Sequence, residues 1–231
     1  MDYVRFLEGI EIKKKAKINY LLEEGKKKKF QSWTGSLFPG LYDFFMEKSV
    51  FSGLFESDYT RHYEILKENL SGIKQSYLLE LATGSGLLAY FLNNTNHYFG
   101  VDTSKGLLKK SYKRFKKAGF KDYELFLASA DSLPFADSNF DFEVCNLSLN
   151  FFDDLGKVIH EIKRTLKVGG QFFCSIPVPE RRSTDNSSRK RIRGKLYSEK
   201  QLQELFSREN FEFHHLPYKN GSLLYFIARS F

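Results

Sequence analysis

The chain has 231 residues, 42% of them hydrophobic and 16% aromatic, with a formal net charge of +8. That length fits one substantial domain with an extension. No apolar run approaches the roughly 18 residues a membrane span needs, and the lysine-rich beginning lacks a signal peptide's apolar stretch, so a soluble, cytoplasmic protein is expected. Cys145 and Cys174 sit in apolar runs, where free thiols act as small hydrophobes, and the five histidines show no ligand spacing; no metal and no disulfide are expected.

The charge is uneven. Residues 1–31 hold nine Lys/Arg against five Asp/Glu, residues 181–195 hold seven against one, and the rest carries −2. The basicity therefore reads as the property of two segments, either solvated or facing a phosphate-bearing partner.

In chain order, residues 1–31 predict a basic helical lead-in ending in Lys26–Lys29. The aromatic stretch Ser32–Phe55 is broken by Gly35, Pro39, Gly40 and Gly53, so one regular helix is excluded; it predicts a cover over a domain face or cleft, with Trp33, Tyr42, Phe44 and Phe45 as lid candidates. Tyr59–Leu70 reads as an amphipathic helix. Residues 1–70 are thus taken as an N-terminal helical extension and 71–231 as the main domain.

From Tyr77 onward, strands are predicted at Tyr77–Leu81, His97–Val101, Leu125–Ala128, Phe142–Leu147, Gln171–Ile176, Phe211–Leu216 and Leu223–Arg229. Helices are predicted at Leu87–Asn93, Lys105–Ala118, Leu155–Leu166 and Glu199–Glu209. Leu155, Val158, Ile159, Ile162 and Leu166 follow the spacing of a one-sided helix. Alternation of this kind predicts a doubly wound, mainly parallel seven-stranded α/β sheet. Asn220-Gly221 predicts a hairpin turn, so the sheet ends in an antiparallel pair.

Ligands of such sheets bind beyond the carboxyl ends of the strands. There the chain reads "ELATGSG", Glu80 to Gly86. Gly84 and Gly86 allow close backbone approach, although plain strand–helix geometry also accounts for them. Asp102, ending the second strand, suits the two hydroxyls of a ribose or a helix N-cap, with Thr103 and Ser104 as rival caps. G-x-G-x-x-G is absent, which argues against a dinucleotide.

The motifs "LLELATGSG", "FGVDTS", "ASADSLPFADSNFDFEVCNLSLNFFDD" and "VIHEIKRTLKVGGQFF" resemble, in order and spacing, those of class I S-adenosylmethionine-dependent methyltransferases, in the group that includes the ubiquinone/menaquinone-biosynthesis enzymes. The resemblance implies a Rossmann-like fold, S-adenosylmethionine as cofactor and S-adenosylhomocysteine as product. It implies that Glu80 and the backbone of Ala82, Thr83, Gly84, Ser85 and Gly86 hold the methionine part. Asp102, with Thr103 beside it, would take the ribose, and Asp131, flanked by Ala130 and Ser132, the adenine amino group. Asn146 and Leu147 would line the sulfonium end. Ala82 stands where many members carry glycine, which is tolerable if its φ stays negative; Asn150 stands where relatives often carry histidine.

No catalytic base is evident. Methyl transfer needs alignment above all, and a base only if the acceptor must lose a proton; His62 and His160 read as structural. Tyr42, Asn150, Arg181 and Arg182 are candidate acceptor contacts, and the arginines of the loop after the fifth strand (also Arg189, Arg191, Arg193) suit an acidic acceptor. Three readings stay open: a methyltransferase acting on a small, acidic or aromatic metabolite, an RNA methyltransferase using the basic segments, and a non-enzymatic cofactor-binding module.

Overall fold

The computed structural model describes residues 4–27, 30, 46–182 and 194–231. Its sheet has ten strands: β1 (Ile12–Lys15), β2 (Ile18–Glu23), β3 (Lys26–Lys27), β4 (Tyr77–Leu81), β5 (His97–Asp102), β6 (Tyr123–Leu127), β7 (Phe140–Asn146), β8 (Leu166–Pro177), β9 (Phe211–His215) and β10 (Leu223–Ser230). The order is β1-β2-β6-β5-β4-β7-β8-β10-β9, with β3 paired to β2. From β2 to β8 neighbouring strands run parallel; β10 is antiparallel to β8 and to β9. All seven predicted strands are present in this mixed α/β sheet.

Among the described residues four α-helices cover it: α1 (Tyr59–Leu70), α2 (Lys105–Lys117), α3 (Leu155–Thr165) and α4 (Glu199–Arg208). Each begins at a side-chain cap. Asp58 accepts from Arg61 N at 2.6 Å, Ser104 from Leu107 N at 3.3 Å and Asp154 from Lys157 N at 3.1 Å, while Ser198 and Gln201 form a reciprocal capping box. Caps of this kind are worth about 1 kcal/mol each. On one face of the sheet, Leu155, Val158, Ile159 and Ile162 of α3 and Leu202 and Phe206 of α4 pack on Leu79, Leu81, Cys145 and Phe172. On the other, Ile65, Leu66 and Leu70 of α1 and Leu108 and Phe115 of α2 pack on Leu78, Tyr98, Leu125 and Val144. Full burial of each large apolar side chain contributes about 1.5–3 kcal/mol.

Two expectations are corrected. The lead-in is not helical over Ile12–Lys27: β1 and β2 form a hairpin through Ala16 (φ 55°), and Ile18–Tyr20 add in parallel to the open edge of β6. Ile18 and Tyr20, two residues apart, bury against the sheet's helical layer, a period-two pattern that the surrounding lysines obscure. The lysines lie on the outer strand β1, where charge discourages edge-to-edge pairing. The helix expected over Leu87–Asn93 is only a 3₁₀ turn, Leu87–Tyr90, because the Asn93 side chain accepts from both Thr95 N and Thr95 Oγ1 and folds the chain back. Trp33, Tyr42, Phe44, Phe45, Arg189, Arg191 and Arg193 fall outside the described residues.

Among the described residues no helix is long and apolar enough to cross a membrane. Cys145 and Cys174 are free, buried thiols whose pKa values burial pushes up.

Candidate active site

The strand order reverses at β4: the chain runs β4-β5-β6 to one side and resumes with β7 on the other. Such a switch point opens a crevice at the carboxyl ends of the strands. A small cleft of about 50 Å³, partly open to solvent, lies there, lined by Glu80, Ala82, Thr83, Gly84, Ser85 and Leu87 on the β4 side and by Asn146, Leu147 and Ser148 after β7. Phe51 and Tyr59 complete the lining.

Glu80 is buried. Its Oε2 accepts from Thr83 Oγ1 at 2.9 Å and from the hydroxyl of Tyr98. Desolvation dominates over these bonds and raises its pKa to about 8. The Tyr98 contact is possible because Gly100, directly opposite Glu80 in the ladder, has no Cβ; one there would meet the Tyr98 hydroxyl at 2.8 Å. That alternating Tyr-x-Gly was the available sequence signal for Tyr98, which motif reading passed over.

Asp102 ends β5 with both oxygens committed to backbone: Oδ2 accepts from Gly84 N at 2.8 Å and Oδ1 from Ser104 N at 2.7 Å. Desolvation raises its pKa to about 6, against the pull of these two donors. Ser104, not Asp102, caps α2. The carboxylate is thus left to bind the glycine loop, and each oxygen retains a lone pair for a further donor.

The two glycines do different work. Gly84 (φ 54°) has space around it: an added Cβ would meet nothing nearer than Ala82 O at 3.8 Å. Gly86 (φ 79°) packs on α2, where a Cβ would lie 2.7 Å from Ser111 Oγ and 2.8 Å from its Cα. The expectation that both open the backbone to a ligand therefore holds in geometry for Gly84, while Gly86 is a helix-packing position. Ala82 is a correction: its φ is 52°, left-handed rather than negative, at a cost of roughly 1–2 kcal/mol for a residue with a Cβ. Leu147, across the cleft, is also left-handed (φ 58°), and its N–H donates to Ser175 O at 2.9 Å.

On the far side the wall is neutral. Asn146, Ser175 and Tyr225 lie side by side across β7, β8 and β10. Ser175 Oγ donates to Asn146 Oδ1 at 2.6 Å. His62, fully buried on α1, pairs Nδ1 with the Tyr225 hydroxyl at 2.8 Å and lies against Phe51 in a tilted contact, ring centroids 5.0 Å apart. Desolvation lowers its pKa to about 3; the Asn146 side chain faces the imidazole but closes no hydrogen bond with Nε2. As expected, His62 is structural, though it stands directly behind the cleft.

The remaining candidates spread along the same edge. Thr103 follows Asp102; Ala130 is buried, whereas Asp131 and Ser132 are exposed beyond β6, and none of these four lines the cleft. Asn150 is buried after β7, its carbonyl accepting from Lys195 N at 2.8 Å. Gly194 fits against it so closely that a Cβ would meet Asn150 O at 2.0 Å, which anchors the returning end of the basic loop beside the site. The Arg181 guanidinium pairs with Glu199 at 2.6 Å and donates to the carbonyls of Tyr218 and Leu223, both at 3.1 Å, which holds the loop's start. Arg182 is half-buried next to it.

The residues present fit S-adenosylmethionine. Glu80 lines the cleft with a carboxyl group that suits an ammonium, and Gly84 leaves its loop open. Residues 79–174 match the family described as methyltransferase domain. That match spans under half of the chain and supports a likeness to S-adenosylmethionine-dependent methyltransferases. It is 39% identical to a demethylmenaquinone methyltransferase of Bacillus velezensis over 32% of each chain. With an uncharacterized protein of Methanocaldococcus jannaschii it shares 33% identity over 65% of this chain and 62% of that one. The matches thus span about a third to three-fifths of these relatives' length. A crystal structure of a SAM-dependent methyltransferase from Aquifex aeolicus superposes with a TM-score of 0.63 at 16% identity, covering 87% of this chain and all of that one, a likeness of fold.

Proposed function

We propose that the protein transfers the methyl group of S-adenosylmethionine to a small acidic or aromatic acceptor in the cleft between β4 and β7. The observation that carries this reading is the coupling of Asp102 to Gly84 N in the loop that follows cleft-lining Glu80 of β4. Glu80 and the Ala82–Gly86 backbone receive the cationic end of the methionine part. Asp102 takes the ribose hydroxyls with Thr103 beside it, Asp131 the adenine amino group between Ala130 and Ser132, and Asn146 and Leu147 flank the sulfonium. Tyr42, Asn150, Arg181 and Arg182 are the acceptor contacts of this reading.

In the transfer, an acceptor electron pair attacks the methyl carbon as the carbon–sulfur bond breaks, and sulfur leaves with its pair as a neutral thioether. The acceptor's own proton is lost to solvent or to a group on the acceptor. Alignment and exclusion of water are the protein's contribution. Phe51 and Tyr59 supply an apolar wall for that purpose, and an aromatic acceptor suits it. The similarity to a protein named demethylmenaquinone methyltransferase agrees with an aromatic acceptor.

Calorimetric titration with S-adenosylmethionine tests the reading. Micromolar binding is expected, weakened at least tenfold in Asp102→Ala, about 1.4 kcal/mol or more. Absence of binding by the native protein would sink it. Labelled methyl transfer to fractionated metabolite pools then identifies the acceptor.

A further inference from the structure

We infer that α2 and the β1–β3 ribbon form a docking surface for the phosphodiester backbone of a single-stranded nucleic acid. The inference goes beyond the cleft and stands whether or not a small acceptor enters there.

Helix α2 (KGLLKKSYKRFKK) has seven basic residues and no acidic one. Reading net charge by segment hid it, because acids elsewhere in the remaining chain outweigh it. Leu107, Leu108, Ser111 and Phe115 face the core, so Lys105, Lys109 and Lys113 form an exposed stripe at intervals of one helical turn. Like charges at that spacing repel, and Lys105 sits in the first turn, where the helix dipole disfavours a cation. No carboxylate on α2 offsets these costs.

The ribbon extends the stripe. Lys15 is paired with Ile18, Lys13 with Tyr20 and Lys27 with Leu22, which places these lysines on the ribbon face that bears Ile18 and Tyr20, both packed in the α2 layer. Lys27 lies over the Tyr20 ring at 3.9 Å. Desolvation, and after it repulsion by Lys105, Lys13 and Lys15, lowers its pKa, so charges of the two elements act on one another. Glu11 is the ribbon carboxylate that alternation puts on this side; Glu124 is taken by Lys14 on the other.

The surface meets the cleft. Lys105 follows Ser104, whose N–H binds Asp102, and Arg114 of α2 donates to Ser85 Oγ at 3.0 Å. Tyr90, 61% exposed, lies under the Arg114 guanidinium at 5.2 Å, an open ring beside the cations on which a base can stack. A bilayer is the poorer fit: a helix that lies on a membrane presents apolar residues outward, whereas the apolar face of α2 is spent on the core.

The test is fluorescence anisotropy with labelled 20-nucleotide oligouridylate and oligothymidylate, alongside sedimentation with vesicles containing phosphatidylglycerol. Binding to oligonucleotide is expected with a slope of log K against log salt of roughly −4, for about six phosphate contacts in a single strand. Equal affinity for the two oligomers would mark backbone recognition; preference for RNA would mark contacts to the 2′-hydroxyl, and either agrees with the inference. Lys105→Glu/Lys109→Glu/Lys113→Glu should weaken binding at least tenfold and cut the slope by about 2, with circular dichroism and S-adenosylmethionine affinity unchanged. If that variant misfolds, the corresponding Lys→Gln set serves, with a smaller loss expected. Binding unchanged in the helix variant but lost in Arg189→Glu/Arg191→Glu/Arg193→Glu would overturn the proposal, as would binding to vesicles alone or to neither probe.

Discussion

The two sides of the β4–β7 switch point are built by opposite means. On the β4–β5 side ionisable groups are buried beside strained backbone: Glu80 among hydroxyls, Asp102 gripping Gly84, and Ala82, Gly84 and Gly86 all left-handed. Beyond β7 a neutral row, Asn146, Ser175 and Tyr225, is closed by an uncharged histidine. Strain and buried acid persist only where the surroundings enforce them, and here they gather where a zwitterionic cofactor would supply the missing charge. The neutral side shares the strain at one residue, Leu147 (φ 58°), but buries no acid and is left as a wall.

The largest effect should come from breaking the charged side by volume. Gly86→Ala must place a Cβ against the backbone of α2 as well as keep a left-handed φ. A destabilisation of about 2–4 kcal/mol is expected. Gly84→Ala, with the same φ penalty and open space, should lose only about 1–2 kcal/mol, while weakening the cofactor. Chemical denaturation of both variants separates packing from binding; equal losses would refute the division of roles.

Acidity distinguishes the sides next. Glu80 has a folded pKa raised to about 8, so the unfolded chain holds fewer protons than the native one between about pH 4.5 and 8. Its stabilisation is complete below that window and lost as pH rises through 8. His62 is lowered to about 3; its stabilisation is present above the unfolded value near 6.5 and lost as pH falls towards 3. Each slope should disappear on its own: the alkaline loss in Glu80→Gln and the acid loss in His62→Gln. Cofactor affinity should rise from pH 6 to 8 as Glu80 ionises to meet the ammonium. A flat affinity profile would remove Glu80 from that role.

The charged side was also the legible one. Glu80, Gly84 and Asp102 stand within one strand–turn–strand unit, so local spacing announces them, and β4 to β10 follow from alternation with helices. The neutral side assembles from α1, β7, β8 and β10, residues up to 163 positions apart, and no local pattern links His62 to Tyr225. Asn220, in the turn that leads into β10, also clamps Asp58 through both N and O, at 2.8 and 3.0 Å, and so sets α1 over the sheet. The β1–β2 hairpin stayed hidden because its partner is the edge of β6, and a sequence shows a strand's composition more readily than its neighbour. The helix stripe on α2 was missed for another reason: net charge averaged over a segment erases which face the charges occupy.

The smallest effect concerns Ala82. A glycine there adopts φ near 52° without the Cβ penalty, so Ala82→Gly should gain about 1 kcal/mol in the folded state, offset in part by the greater freedom of glycine in the unfolded chain. A rise in Tm of roughly 2–4 °C follows if the relief prevails. Because Ala82 lines the cleft, the variant also tells whether its strain belongs to the site. Unchanged cofactor affinity alongside a higher Tm would mean that the left-handed geometry is what the loop needs and the methyl is incidental. A fall in affinity would mean that the methyl itself packs against the bound cofactor, and that the strain is retained for that contact.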